Sequence, residues 1–194
     1  MLQVIDTFSP YCYPIDYTIN RLELDKSFHI LMKRLGASID SHFSVNLTHL
    51  PGLTGNARWN QYNNSHNDLL ADGFDLAEFT ELLDEVKDLY LGQVIQDIIK
   101  LHKGTFQGRF QLAVMEPKKN YGRHIDIFTP SRYHIPVITN EDCYWIFYKD
   151  DVSYKLSMPS DNRVWFVDPV NIEHDFYNKS NIYRWHLILT SSID

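Results

Sequence analysis

Beyond Phe106 the chain breaks into short runs rich in Val, Ile, Tyr, Trp and Phe: RFQLAVM, HIDIF, RYHIPVIT, CYWIFY, VSYKL, RVWFVD and YRWHLIL. Turn-favouring residues punctuate them, at Pro117, Asn120-Tyr121-Gly122, Thr129-Pro130, Asn140, Ser160-Asp161-Asn162 and Asn178. Strands this short and this evenly spaced close as a sandwich or a barrel, because each has a face to bury and an edge to hide.

Upstream the periodicity is helical. Asp25 to Leu35 carries Phe28, Ile30, Leu31, Met32 and Leu35 at near-helical spacing, and Gly36 supplies a stop. Asp75 with Glu78 forms a capping-box variant ahead of Leu76, Phe79, Leu82, Leu83 and Val86 on one face. The pattern runs on through Val94, Ile95, Ile98, Ile99 and Leu101 to Gly104, as a second helix or after a break near Leu91-Gly92. A length of 194 residues suits one core. The expected architecture is therefore a single domain, mainly β with helices. Residues 106–194 form a β-barrel or jelly roll, and a mostly helical 1–105 packs on one outer face.

A net charge of −7, from 25 acidic and 18 basic residues, argues against a grip on nucleic acid or on an anionic membrane. Cys12 and Cys143 are the only cysteines and form no C-x-x-C, which suits free thiols in a reducing compartment. The opening MLQVIDTFSPYCYP lacks the pattern of a signal peptide, and no apolar run reaches the roughly 18 residues of a membrane span, so a cytoplasmic protein is expected.

Three residues suggest a metal. His124 and Asp126 at i and i+2 of a strand point the same way. His174 follows in a loop-like stretch, DPVNIEHDFYN, where a jelly roll can return it beside the first strand. Two histidines and one carboxylate occupy a triangular face of an octahedron and leave three positions open, which suits Fe(II) chemistry with O₂. A structural zinc site wants four closed ligands. Polar residues of a barrel interior, or a zinc site without redox work, remain the simpler alternatives.

The arginines extend the argument. Arg132 and His134 again stand at i and i+2, and Arg184 shares a strand face with His186 and Ile188 while Tyr183, Trp185, Leu187 and Leu189 take the other. A buried guanidinium is costly without an anion, and no acidic residue follows the same alternation to pair it. A small dianion that chelates the metal at one end and meets an arginine at the other resolves this.

These residues fall in motifs. M-E-P (115–117), H-I-D (124–126), R-Y-H-I-P-V-I-T-N (132–140), V-W-F-V-D (164–168), H-D-F-Y-N (174–178) and R-W-H-L-I-L (184–189) resemble the aspartyl/asparaginyl β-hydroxylase family of Fe(II)- and 2-oxoglutarate-dependent oxygenases. The resemblance implies a double-stranded β-helix, a cupin-like jelly roll. By residue-matched carry-over it implies Fe(II) on His124, Asp126 and His174, with Arg184 on the distal carboxylate of 2-oxoglutarate. Arg132 with His134 then steadies the metal-proximal carboxylate. The implied reaction consumes O₂ and hydroxylates an amino acid, free or within a peptide or protein. Ala113 stands where some members have a polar residue, and Asn162-Arg163 replaces a usual glycine.

Residues 1–105 match nothing. Within them TGNARWNQYNN (54–64), with Arg58 and Trp59, is the one candidate recognition loop, an ordinary polar surface loop being the plainer reading. His29, His42, His49, His66 and His102 show no ligand spacing. Two other classes stay open: a non-catalytic binding module on the same barrel, and a cupin-like metalloenzyme that does not use 2-oxoglutarate.

Overall fold

Alternation along RYHIP and RWHLILT gives each segment two different faces, and the fold uses both. A computed structural model describes residues 1–53, 72–102, 106, 108, 110–126 and 131–191. The segment 54–64, with Arg58 and Trp59, lies outside the described residues, as does His66.

A five-stranded sheet runs in the order β1 (Leu2–Ile5), β10 (Val152–Ser157), β9 (Cys143–Lys149), β12 (Glu173–Asn178), β7 (Lys119–Asn120). A six-stranded sheet runs β2 (Cys12–Thr18), β11 (Arg163–Val167), β8 (Arg132–Ile138), β13 (Arg184–Thr190), β6 (Gln111–Met115), β3 (Val45–Asn46). A small pair joins β4 (Thr48–His49) to β5 (Glu81–Leu82). The helices are α1 (Arg21–Arg34), α2 (Asp84–Lys87) and α3 (Tyr90–Leu101).

The two large sheets face each other across an apolar layer. Trp165, Val167, Cys12 and Met115 from one meet Trp145, Phe147, Leu156 and Phe176 from the other. A second core lies on the opposite face of the six-stranded sheet, where Tyr133, Ile135, Val137, Trp185, Leu187 and Leu189 cluster with Leu24, Phe28 and Leu31 of α1 and Val94, Ile95 and Ile98 of α3. Thus β8 and β13 are buried on both sides, and their odd- and even-numbered residues serve different layers as far as Pro136 on β8, beyond which a register shift against β13 turns Ile138 to the same core as Val137.

Helix α1 starts at Arg21, four residues ahead of the expected Asp25, because Asn20 caps it through a bond from the Glu23 amide, 3.3 Å. Arg21 also donates to the carbonyls of Pro136, 2.6 Å, and Val137, tying the first turn to β8. Gly36, at φ +61°, ends the helix in a Schellman motif, with Ala37 N–H on Met32 O at 2.9 Å and Gly36 N–H on Lys33 O at 3.2 Å.

Four expectations are corrected. The described residues before 105 are not mostly helical: the chain opens on strands, β1 pairing in parallel with β10 and β2 antiparallel with β11, so its start widens both sheets and α1 comes only after them. The helix expected from Asp75 shrinks to a single turn, Leu76–Glu78, because Leu82 is taken into β5 and Leu83 N–H bonds Leu47 O at 2.9 Å. Of the strand expected at HIDIF, the described residues 124–126 hold a one-residue bridge at His124, whereas the expected loop around His174 is strand β12.

The expected second helix is α3, and the break expected near Leu91-Gly92 falls at Asp88-Leu89, just before it. Gly92 lies within α3, where a Cβ would fall 2.3 Å from Val86 O. Gly92→Ala should therefore lower stability by about 1–3 kcal/mol despite alanine's better helix propensity, read as an earlier urea midpoint at unchanged slope.

Candidate metal centre

Alternation along β12 turns His174 and Phe176 to the inner face, opposite Phe147 and Trp145 of β9. The backbone of His124 then pairs with that of His174, N–H to O at 2.9 Å one way and 2.8 Å the other. This bridge sets the two imidazoles 4.4 Å apart between centroids. Asp126 is off-strand, tethered by its N–H to Pro169 O at 3.3 Å. One ligand atom from each of His124, Asp126 and His174 falls within 4.8 Å of the others, and His124 Nε2 is 3.3 Å from Asp126 Oδ1.

The ring orientations fit a metal. His124 Nδ1–H donates to Gly122 O at 2.6 Å and His174 Nδ1–H to Ile172 O at 3.0 Å. Carbonyls only accept, so both protons sit on Nδ1 and both Nε2 lone pairs are left for the ion. Burial lowers the pKa of His174, which keeps its ring in the neutral, ligating form.

Beside this trio a cavity of about 240 Å³ opens between the sheets. Gln111, Ala113, Arg132, His134, Arg184 and Ile188 line it from the six-stranded sheet, Trp145, His174 and Phe176 from the other, with Tyr121 and Ser44 among the rest. The size suits a small metabolite and falls short of the usual drug-sized pocket.

The two arginines differ. Arg132 Nη2 lies 2.8 Å from Asp126 Oδ2, a pairing that strand alternation does not reveal because Asp126 is not on a strand. Its two oxygens thus face a histidine and an arginine. Arg184 is 4% exposed, donates through Nη2 to His186 Nδ1, and lays its guanidinium 3.9 Å from the Phe176 ring centroid. Among the described residues none offers it a carboxylate, and its Nε has no partner. Burial pushes its pKa down to about 9, so it is a cation at neutral pH.

His134 and His186 are both 1% exposed, with Nδ1 atoms 3.4 Å apart and each Nε2 unpartnered. Burial first, then Arg184, depresses both pKa values well below the ordinary 6.5, with Arg132 and His174 adding at His134, and His134 and Arg21 at His186. The folded protein cannot take up these two protons and the unfolded chain can. Stability is therefore intact above pH 6.5 and falls below it, by about 1.4 kcal/mol per pH unit for each histidine. Urea midpoints of the metal-free protein at pH 7, 6 and 5 should show this fall, and His134→Asn should remove about one proton from the slope.

Residue type alone did not mark Trp145, Phe176 or Tyr121 as cavity residues. Reading HDFYN as a strand would have placed Phe176 beside His174, and strand alternation in CYWIFY carries Trp145; Tyr121 sits in what reads as a turn.

No family model matches the sequence, and a search of curated proteins finds no relative. Solved structures do match. A Pseudomonas putida prolyl-4-hydroxylase aligns over 94% of this chain and 93% of its own, with 12% identity and a TM-score of 0.50. A prolyl hydroxylase from Trichoplax adhaerens, in complex with a hypoxia inducible factor oxygen degradation domain peptide fragment, aligns over 95% and 84%, with 12% identity and a TM-score of 0.54. The chain shares their fold. An oxidoreductase of the 2OG-Fe(II) oxygenase family from Burkholderia pseudomallei also aligns, over 99% and 95%, at 10% identity and a TM-score of 0.45.

Proposed function

We propose that this chain is an Fe(II)- and 2-oxoglutarate-dependent dioxygenase with a double-stranded β-helix core, hydroxylating an amino-acid side chain within a peptide or protein, or a free amino acid. One observation carries the reading. Two histidines and an aspartate converge beside a cavity lined by a buried arginine, Arg184, to which none of the described residues offers a carboxylate. The fold shared with the two prolyl hydroxylases supports it, and the R-Y-H-I-P-V-I-T-N motif favours the aspartyl/asparaginyl branch. The peptide bound to the Trichoplax enzyme and the half-open His124 support a peptide or protein substrate. Cys12 and Cys143, both free and buried, suit the cytoplasm.

His124, Asp126 and His174 would hold Fe(II), which when bound with 2-oxoglutarate and O₂ supplies oxidising power as the co-acid is split to succinate and CO₂ and a substrate C–H becomes C–OH. The protein's own work is placement. The backbone bridge between His124 and His174 fixes both rings, and the carbonyls of Gly122 and Ile172 set their tautomers. Arg132 steadies Asp126 from its far oxygen while facing the cavity, a second role beyond the carry-over to the proximal carboxylate. Arg184, buried in the cavity wall, would take a distal carboxylate bidentately. Trp145 and Phe176 close the walls against water.

Purified protein with Fe(II), ascorbate and 2-oxoglutarate labelled at C1 should release labelled CO₂ slowly alone and faster with substrate peptide. Failure of the Fe(II)-loaded protein to bind 2-oxoglutarate would sink the reading.

A further inference from the structure

We propose that His186 is a positioning residue that aims Arg184 into the cavity without using its charge, and so selects a cosubstrate with a distal carboxylate. The inference rests on the oxygenase reading above. It starts from the donor inventory: a guanidinium only donates, so the contact from Arg184 Nη2 requires a lone pair on His186 Nδ1 and puts the imidazole proton on Nε2. The acceptor is therefore neutral.

That choice matters. The neighbouring arginine, Arg132, already has a carboxylate oxygen, Asp126 Oδ2, 2.8 Å from its Nη2. An acidic residue at 186 would give Arg184 one too and leave an incoming dianion with little to gain. A neutral imidazole fixes the direction of the guanidinium and leaves the positive charge for the ligand.

The surroundings make His186 a rigid anchor. It lies inside β13, with Ala113 of β6 on one side and Pro136 of β8 on the other, on the same face as Arg184 two residues earlier. The Phe176 ring, 3.9 Å away, holds the guanidinium from the facing sheet. One of the five N–H donors is spent on His186, Nε has no partner, and the remaining fork suits a carboxylate.

The test uses the full chain loaded with Mn(II) and calorimetric titration of two probes: 2-oxoglutarate, and 2-oxopentanoate, which carries a methyl in place of the distal carboxylate. His186→Asn keeps an acceptor and should bind 2-oxoglutarate within about threefold of the parent. His186→Leu should weaken it about tenfold, the loss of one bond to a charged group. His186→Asp should weaken it about a hundredfold although it offers an acceptor, because it neutralises Arg184. Binding of 2-oxopentanoate should stay within about twofold in every variant that melts cooperatively, a pattern that lost packing does not produce. Equal losses for both probes, or a leucine variant as tight as the parent, overturn the proposal while leaving the oxygenase reading intact. A parent protein that binds Mn(II) and no 2-oxoglutarate overturns the oxygenase reading itself. If the aspartate variant does not fold, the asparagine and leucine variants with the two probes decide the matter.

Discussion

His174→Ala should eliminate metal retention and 2-oxoglutarate turnover together, with at least about a thousandfold loss of CO₂ release. The trio offers one atom each from His124, Asp126 and His174, so removing one leaves two ligands and a half-exposed site. Even outer-shell partners of metal ligands cost roughly 10–100-fold when lost, and a ligand itself should cost more. The change leaves the strand in place, since β12 is held to β9 and to His124 through backbone bonds that alanine keeps. Metal content after dialysis, activity and thermal melting separate the outcomes. Loss of activity with a full complement of metal would move the ligand set elsewhere. His42→Ala, on an exposed histidine bonded to Glu116, is the control and should change none of the three.

Much of this site could be read before any fold was known, for a definable reason. RWHLILT alternates polar and apolar residues from Arg184 to Leu187, which sets Arg184, His186 and Ile188 on one face, and Arg184 and Ile188 line the cavity from it. Segment EHDFYN misleads because its polarity has local causes. Asn178, fully buried, donates to the carbonyls of Met115, Glu116 and Ile182 and accepts from Ser180, while His174 belongs to the candidate metal trio. Its strand character comes from pairing with β9, which no local pattern reveals. Strand β1 is hidden for the same reason: three of its four residues are exposed, and its register is set by β10 some 150 residues away. The helical signal at Leu82, Leu83 and Val86 was real apolar periodicity put to other uses, a strand pair, a contact with Leu47 and a single helical turn. The pairing of Arg132 escaped because it depends on where an irregular segment turns, and Asp126 sits on such a segment.

Arg184→Met should raise stability while it destroys cosubstrate binding. The free protein buries this guanidinium at 4% exposure with a single histidine acceptor and an aromatic ring for company. A buried charge without a counter-charge costs several kcal/mol, and exchanging buried charges for apolar side chains of similar volume is often neutral or stabilising by about 1–4 kcal/mol. Methionine fits the stem and removes the charge. In a domain of this size such a gain should lift the melting temperature by several degrees. The same exchange deletes the cation that a distal carboxylate needs, and a bidentate charged pair in a dry cavity is worth enough that 2-oxoglutarate should bind at least about a hundredfold more weakly, with Mn(II) binding unchanged. The stabilising effect of added 2-oxoglutarate should therefore vanish just where the ligand-free protein has become more stable. A variant that melts lower than the parent would show that Arg184 is held for the fold. The opposite signs of the two effects mark a residue kept at a cost to stability because the ligand completes it.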